Sequence, residues 1–315
     1  MSAYLVRRLI QAVAVVIGVT VIVFIILHAL PGGPARGLLG PEATTQQVQQ
    51  FIVANGFDRP LIVQYGSFLN QLVHGNLGYS YHYNQTVASL LSKDLPKSAL
   101  LVGLAYLVAL VVAIPLGILQ ALRRNTMVDY VSTGVSFVAY SMPSFWLGIL
   151  LILGFSVNWH LLPPEGPQGA TVSAVLQDPL ALVLPVTTLA LVTIAVFSRF
   201  MRSSAIETLV QDYMRTARAM GVPERSILFR HLLRNSLIPI ITLIGLSLPA
   251  TISGAVITES VFNYPGMGLL FWTSATTHDF PVLLGSTVVF ATATVIGSML
   301  ADLLYAVADP RVRYS

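Results

Sequence analysis

No cysteine occurs in the 315 residues, which excludes a disulfide framework, a thiolate metal site and a cysteine-borne lipid anchor on this chain. Charge is almost as scarce. Asp, Glu, Lys and Arg together reach 10% of the chain while hydrophobic residues reach 55%, against about 25% charge in an ordinary soluble domain. Most of such a surface must face lipid. Lysine is reduced to Lys93 and Lys97, and no G-x-x-x-x-G-K-[ST] stretch exists, so the chain lacks the usual phosphate loop for hydrolysing ATP. HExxH and GxSxG are absent too, which leaves metal-dependent and serine-type hydrolysis without support. The histidines, His28, His74, His82, His160, His231 and His278, show no ligand-like spacing, and no metal site is expected. Arginines sit in pairs beside apolar runs rather than in a basic patch, so no nucleic-acid surface is expected.

What is present is a series of long apolar runs. Arg7 and Arg8 precede one from about Leu9 to Leu30. It begins like a secretory signal, but it is long enough to span and more spans follow, so we read it as an uncleaved first crossing. Five further runs qualify, at about 99–121, 133–156, 180–198, 237–259 and 283–307. Pro115, Pro143 and Pro249 interrupt three of them, which suits helices whose freed carbonyls are satisfied inside a bundle. Gly103, Gly117, Gly148, Gly245, Gly254 and Gly297 offer points of close helix approach. If residue 1 lies inside, thirteen of the seventeen Lys and Arg are cytoplasmic, and only Arg36, Arg59, Lys93 and Lys97 lie outside. This positive-inside bias places both termini in the cytoplasm.

The chain therefore divides into a first transmembrane helix (1–30), an outer helical loop (31–98), a five-helix core (99–307) carrying a cytoplasmic hairpin (203–237), and a cytoplasmic tail (308–315). In the outer loop Pro41 to Asn55 reads as a short helix capped by Thr44 or Thr45. The run 85–101 leads amphipathically into the second crossing. This loop is either a folded lid or a landing surface for an extracytoplasmic partner. Glu259, near the outer end of the fifth crossing, either lines an exit vestibule or pairs with a neighbour at the interface. Ser247, Thr251 and Thr258 share a helix face with one another at four- and seven-residue spacing, as a polar path or as hydrogen-bonding glue between helices. Asp302 reads as a hydrogen-bonding group near the cytoplasmic face.

The hairpin is a polar island between apolar runs. Ile206, Leu209, Val210, Tyr213, Met214, Ala217 and Met220 make an exposed apolar stripe at helical spacing. Gly221 suits the left-handed residue that ends a helix, and Pro223 the start of the next. Such a pair is either a docking knob for a partner's groove or a connector lying on the bilayer.

Arg-Thr-Ala-Arg-Ala-Met-Gly at 215–221, followed by Leu237-Ile238-Pro239, resembles the cytoplasmic loop of permease subunits in binding-protein-dependent ABC importers. Residues 212–242 are similar, more closely, to the B-type permease of dipeptide and oligopeptide importers. Pro31-Gly32-Gly33-Pro34-Ala35, Asp58-Arg59-Pro60-Leu61 with Gln64-Tyr65, and Gly75-Asn76-Leu77-Gly78-Tyr79-Ser80 resemble its N-terminal pattern. Ser141-Met142-Pro143-Ser144-Phe145-Trp146-Leu147-Gly148, Pro265-Gly266-Met267-Gly268, Asp279-Phe280-Pro281 and Asp309-Pro310-Arg311 continue it to the end. Arg215, Gly33, Asn76 and His278 depart from the residues usual there.

The resemblance implies an all-α, six-helix, type I importer permease. Asp212, Tyr213, Arg215, Thr216, Ala217, Arg218, Ala219, Met220 and Gly221 would couple it to an ATPase, and Ser247, Thr251, Thr258 and Glu259 would stand on the substrate path. The implied partners are a homologous permease, two ATPase subunits holding the ATP and Mg²⁺, an extracytoplasmic binding protein, and the lipid of a bacterial inner membrane. The cargo would be di- or oligopeptides, with nickel or glutathione as alternatives. An ion-coupled secondary transporter is disfavoured by the lack of midplane charge and of internal repeats, and a membrane enzyme by the lack of a catalytic constellation.

Overall fold

The computed structural model describes residues 2–29, 35, 39 and 43–308, with backbone alone for residues 2–9, 12, 246–254 and 301–308. The described chain is helical apart from one two-residue antiparallel pair, β1 (Tyr79–Ser80) with β2 (Gln85–Thr86). Four helices are long and apolar enough to cross a bilayer, and five if a bent pair counts as one crossing.

The first apolar run lies on α1 (Ser2–Ala29), within which Val13–Ala29 is the apolar part. The outer lobe follows as α2 (Thr45–Asn55) and α3 (Leu61–Val73). Thr44 caps α2 through a reciprocal pair with Gln47, so the helix starts four residues after Pro41. α4 (Val87–Leu122) begins in the outer lobe and runs unbroken past Pro96 and Pro115. At 36 residues it measures about 54 Å, well beyond the roughly 30 Å of hydrocarbon. Its amphipathic start is therefore the part that stands clear of the membrane.

The third run does not stay straight. α5 (Met127–Ser141) and α6 (Ser144–Leu151, continuing as a π-helical stretch Ile152–Asn158) meet at Met142–Pro143 with a bend of 107°. Proline bars the helix from continuing backwards, and Met142 takes an extended conformation. A short α7 (Val172–Leu176) precedes α8 (Pro179–Leu209), which ends eleven residues beyond the apolar run expected to end at 198. Then come α9 (Asp212–Ala219), α10 (Glu224–Ser226, a π-helical stretch Ile227–Leu233, and Arg234–Ser236), α11 (Ile238–Val261), α12 (Met267–Thr276) and α13 (Phe280–Ala308).

The core lies along the α4–α8 crossing. Leu101 and Ala105 pack on Leu182, Val186 and Ala190 toward the outside. Val102, Tyr106 and Ala113 meet Phe197, Met201 and Ile240 further in. Gly117 makes a close approach within this crossing: a Cβ there would sit 2.6 Å from the Met201 Cβ and 2.7 Å from the Ser198 carbonyl oxygen. Gly148 is also tight, against Val261 and Phe262 at 3.2 Å, but Gly103 faces open space and is no packing point.

Candidate functional site: a hairpin and a lobe at opposite ends of one bundle

The hairpin is not a separate appendage. α8 carries its helix past the apolar run to Leu209, and α10 passes into α11 with only Leu237 between them. Displacing the hairpin therefore displaces two bundle helices. α9 ends at Gly221, whose φ is +74°. The Val222 N–H donates to the Ala217 carbonyl at 3.1 Å and the Gly221 N–H to Arg218 at 3.0 Å, the double closure of a left-handed helix end. Arg218 reaches Glu224 at 3.4 Å across the turn, and Asn235 Nδ2 donates to the Tyr213 hydroxyl at 3.1 Å.

The stripe expected to be exposed divides. Met214 and Ala217 are buried against Ala121, Ala205, Ile227 and Leu232, forming the hairpin's own core. Ile206 and Leu209 pack against the same core. Val210, Tyr213 and Met220 face outward with Phe229, at 58, 43, 72 and 70% exposure. Met214 and Ala217 thus form the inward side of α9 while Tyr213 and Met220 lie on its outward side, so the stripe splits where the hairpin folds on itself. Asp212, Arg215, Thr216, Arg218, Ala219 and Gly221 share the outward side. Arg215 and Asp212 are 3.9 Å apart on it. Beneath, Ser236 Oγ donates to Thr208 Oγ1 at 3.1 Å and Ser204 Oγ to the Ser236 carbonyl at 3.1 Å. These buried hydroxyls pin α10 to the end of α8.

At the other end of the bundle Glu259 is fully buried. One carboxylate oxygen accepts from Ser98 Oγ at 2.6 Å; the other accepts from the Gly268 and Leu269 N–H groups at 2.6 and 3.1 Å. Ser98 Oγ in turn accepts from the Met267 N–H at 2.8 Å. The first three amides of α12 are thus satisfied by a carboxylate and a hydroxyl, where the helix dipole favours negative charge. Glu259 thus pairs with Ser98 and the start of α12. Gly266 and Gly268 are required because a Cβ at either would press on the carboxylate. Thr258 is buried, and its hydroxyl has no partner among the described residues. The Ser247, Thr251 and Asp302 side chains and the motifs at 31–34 and 309–311 lie outside the described residues. A cavity of about 390 Å³ lies between α4, α11 and α13, lined by Val102, Tyr106, Ile244, Ala255, Val289 and Phe290, with Ser98 and Glu259 also on its wall.

The outer lobe is fastened by the residues of its sequence motifs. Gln64 Nε2 donates to the Arg59 and Phe57 carbonyls at 2.7 and 3.1 Å, while its Oε1 lies 3.0 Å from His28 Nε2. The Tyr65 hydroxyl meets Thr20 Oγ1 at 3.0 Å. Ser80, fully buried, hydrogen-bonds to Asp279 at the start of α13 and accepts the Tyr83 N–H at 3.0 Å. Burial pushes the Asp279 carboxyl above its ordinary range, opposed by that serine. Between α1, the lobe and α13 opens a cleft of about 560 Å³, bordered by Phe51, Arg59, Gln71, Tyr79, Tyr81 and Phe280. Sequence reasoning missed Asp129, which is 2% exposed and held by Arg202, because a single aspartate near an apolar run has no local pattern. Among the described residues no three His, Cys, Asp or Glu side chains gather to hold a metal.

Long apolar helices, a hairpin continuous with two of them and a lobe at the other end of the bundle describe a polytopic membrane protein. Residues 113–314 match the family described as binding-protein-dependent transport system inner membrane component, and residues 1–102 its N-terminal counterpart; the chain belongs to this family. It is 38% identical to the oligopeptide transport system permease protein AppB of Bacillus subtilis, with 100% of each chain covered. It is 32% identical to the dipeptide transport system permease protein DppB of Alkalihalophilus pseudofirmus, again over 100% of both. The protein is thus a transport subunit rather than an enzyme, multi-pass in a bacterial inner membrane, working with a substrate-binding protein and an ATPase.

Proposed function

We propose that this chain pairs with a homologous permease to form the path of an ATP-driven importer of di- and oligopeptides, with α1 as a sixth crossing and both termini in the cytoplasm. Two ATPase subunits hold the ATP and Mg²⁺ and take the outward side of α9, from Asp212 to Gly221, into their grooves. A binding protein lands on the outer lobe and delivers the peptide, for which the cleft beside Arg59 and Tyr81 offers a polar and aromatic border. Ser247 and Thr251 are the path residues we favour on α11; Glu259 acts as a structural cap beside it.

The observation that carries this reading is the unbroken passage of α8 into the hairpin and of α10 into α11. A partner that grips the hairpin thereby moves two bundle helices together, which is what switching between inward- and outward-open states demands. The peptide assignment draws on the names of the full-length relatives. Reconstitution with the companion permease, ATPases and binding protein tests it. Uptake of labelled peptide should require ATP and vanish in Met220→Asp and Phe229→Asp, whose side chains are exposed. Uptake that persists without ATP and collapses with the membrane potential would overturn it.

A further inference from the structure

We infer that Asp129 and Arg202 form the joint through which movement of the hairpin reaches the bent third crossing, which makes both positioning residues for transport; the inference rests on the importer reading above. α5 contributes no residue to any buried apolar cluster among the described residues. Its large side chains instead face outward: Met127, Tyr130, Val131, Val135, Phe137 and Val138 are each more than half exposed. Its side-chain polar contacts with another long helix, among the described residues, fall on α8. Arg202 Nε and Nη2 grip the two Asp129 oxygens at 2.7 and 2.8 Å. Ser136 and Ser198 hydroxyls stand 3.4 Å apart, and the Arg199 guanidinium lies 5.9 Å from the Tyr140 ring centre. All three partners sit on α8, at spacings that share one helix face.

The fork is the strongest of the three, being charged, bidentate and closed off from solvent at its acidic end. The same carboxylate accepts the Asn125 N–H at 3.0 Å and the Thr133 hydroxyl at 3.4 Å. One aspartate thus gathers the turn after α4, the first turns of α5 and the inner end of α8. Arg202 stands about two turns before the end of α8, directly upstream of the hairpin. Because apolar packing slides and a bidentate pair does not, α5 follows α8 through this contact.

The test uses the complete reconstituted complex, with uptake of a radiolabelled di- and oligopeptide mixture and ATP hydrolysis measured on the same vesicles. In Asp129→Asn and Arg202→Gln, uptake should fall about tenfold with hydrolysis within about twofold of wild type, and Arg202→Lys, charged but unforked, should lie between. Since the native chain has no cysteine, an Asp129→Cys/Arg202→Cys variant carries the chain's only two thiols. Joining them with a short bis-maleimide should raise uptake per ATP several-fold over the unlinked variant. A fall of uptake and hydrolysis in proportion to assembled complex, with no recovery on cross-linking, would make the pair merely structural and overturn the inference, as would unchanged uptake. Wild-type complex that hydrolyses ATP without taking up peptide overturns the importer reading and this inference with it; wild-type uptake alongside insensitive variants overturns the inference alone.

Discussion

Glu259 was visible in the sequence as a carboxylate at the end of an apolar run, and two roles were open to it. Its true surroundings depend on Ser98, which is 161 residues away, and no local pattern reports such a distance. Removing the acceptor strands the Gly268 and Leu269 amides in a buried place, at about 1–3 kcal/mol for each group left unpaired. Glu259→Ala should therefore lower the thermal midpoint of the detergent-purified complex, while Glu259→Gln, which keeps one acceptor, should lose less. Gly117 behaves differently, since it was legible as a small residue on an apolar face. Its depth in the α4–α8 crossing was not. Gly117→Ala drives a methyl group into Met201 and the Ser198 backbone and should cost about 1–3 kcal/mol through overpacking. Gly103→Ala, facing open space, should leave the midpoint unchanged in the same melting assay.

Helix existence was the easiest property to read: apolar runs above 18 residues have few other uses. Lengths were harder. α8 outruns its expected end because its last turns are polar outside and apolar only where the hairpin folds back. The same folding divides the stripe, so Ala217→Asp and Met220→Asp should part company. Charge at Ala217 enters the core with Met214 and Ile227 and should reduce the amount of inserted protein. Charge at Met220 should leave insertion intact and weaken co-purification of the ATPase. At the outer side, Asp279 joins β1 to the start of α13 through Ser80. Its carboxyl is raised above 3.8 by burial, so the folded state binds the proton more tightly than the unfolded state. The stabilisation this gives is complete below that ordinary value and is lost as pH rises through the elevated one. Asp279→Asn should remove this slope from the pH dependence of lobe attachment, followed by amide exchange in β1 and β2; an unchanged slope would assign it to another group.

At the scale of the molecule, the six crossings and two cytoplasmic ends we propose rest on the arginine distribution and the long apolar runs of the sequence. The described residues hold four helices long and apolar enough to cross, or five if the bent pair is one crossing, and the apolar stretch of α1, Val13–Ala29, is shorter than these. Reporter fusions after residues 30, 122, 165, 215, 265 and 315 should alternate outside and inside, starting outside; two adjacent fusions on one side would remove a crossing from the count. The motifs that carry the family resemblance turn out to be fasteners between distant helices. Gln64, Ser80, Asp279 and Gly268 each hold one element to another, which a linear reading cannot reveal because the second half of every joint lies elsewhere in the chain.

The right-angled break at Met142–Pro143 has a mechanical meaning for such a device. A straight strut would pass a push along the membrane normal to the far leaflet unaltered. Here the inner arm is held to α8 by Arg202 and the outer arm turns away at 107° to meet α11 through Gly148. Under the importer reading we propose, such an angled piece would act as a bell crank, turning a stroke at the hairpin end into a sideways swing.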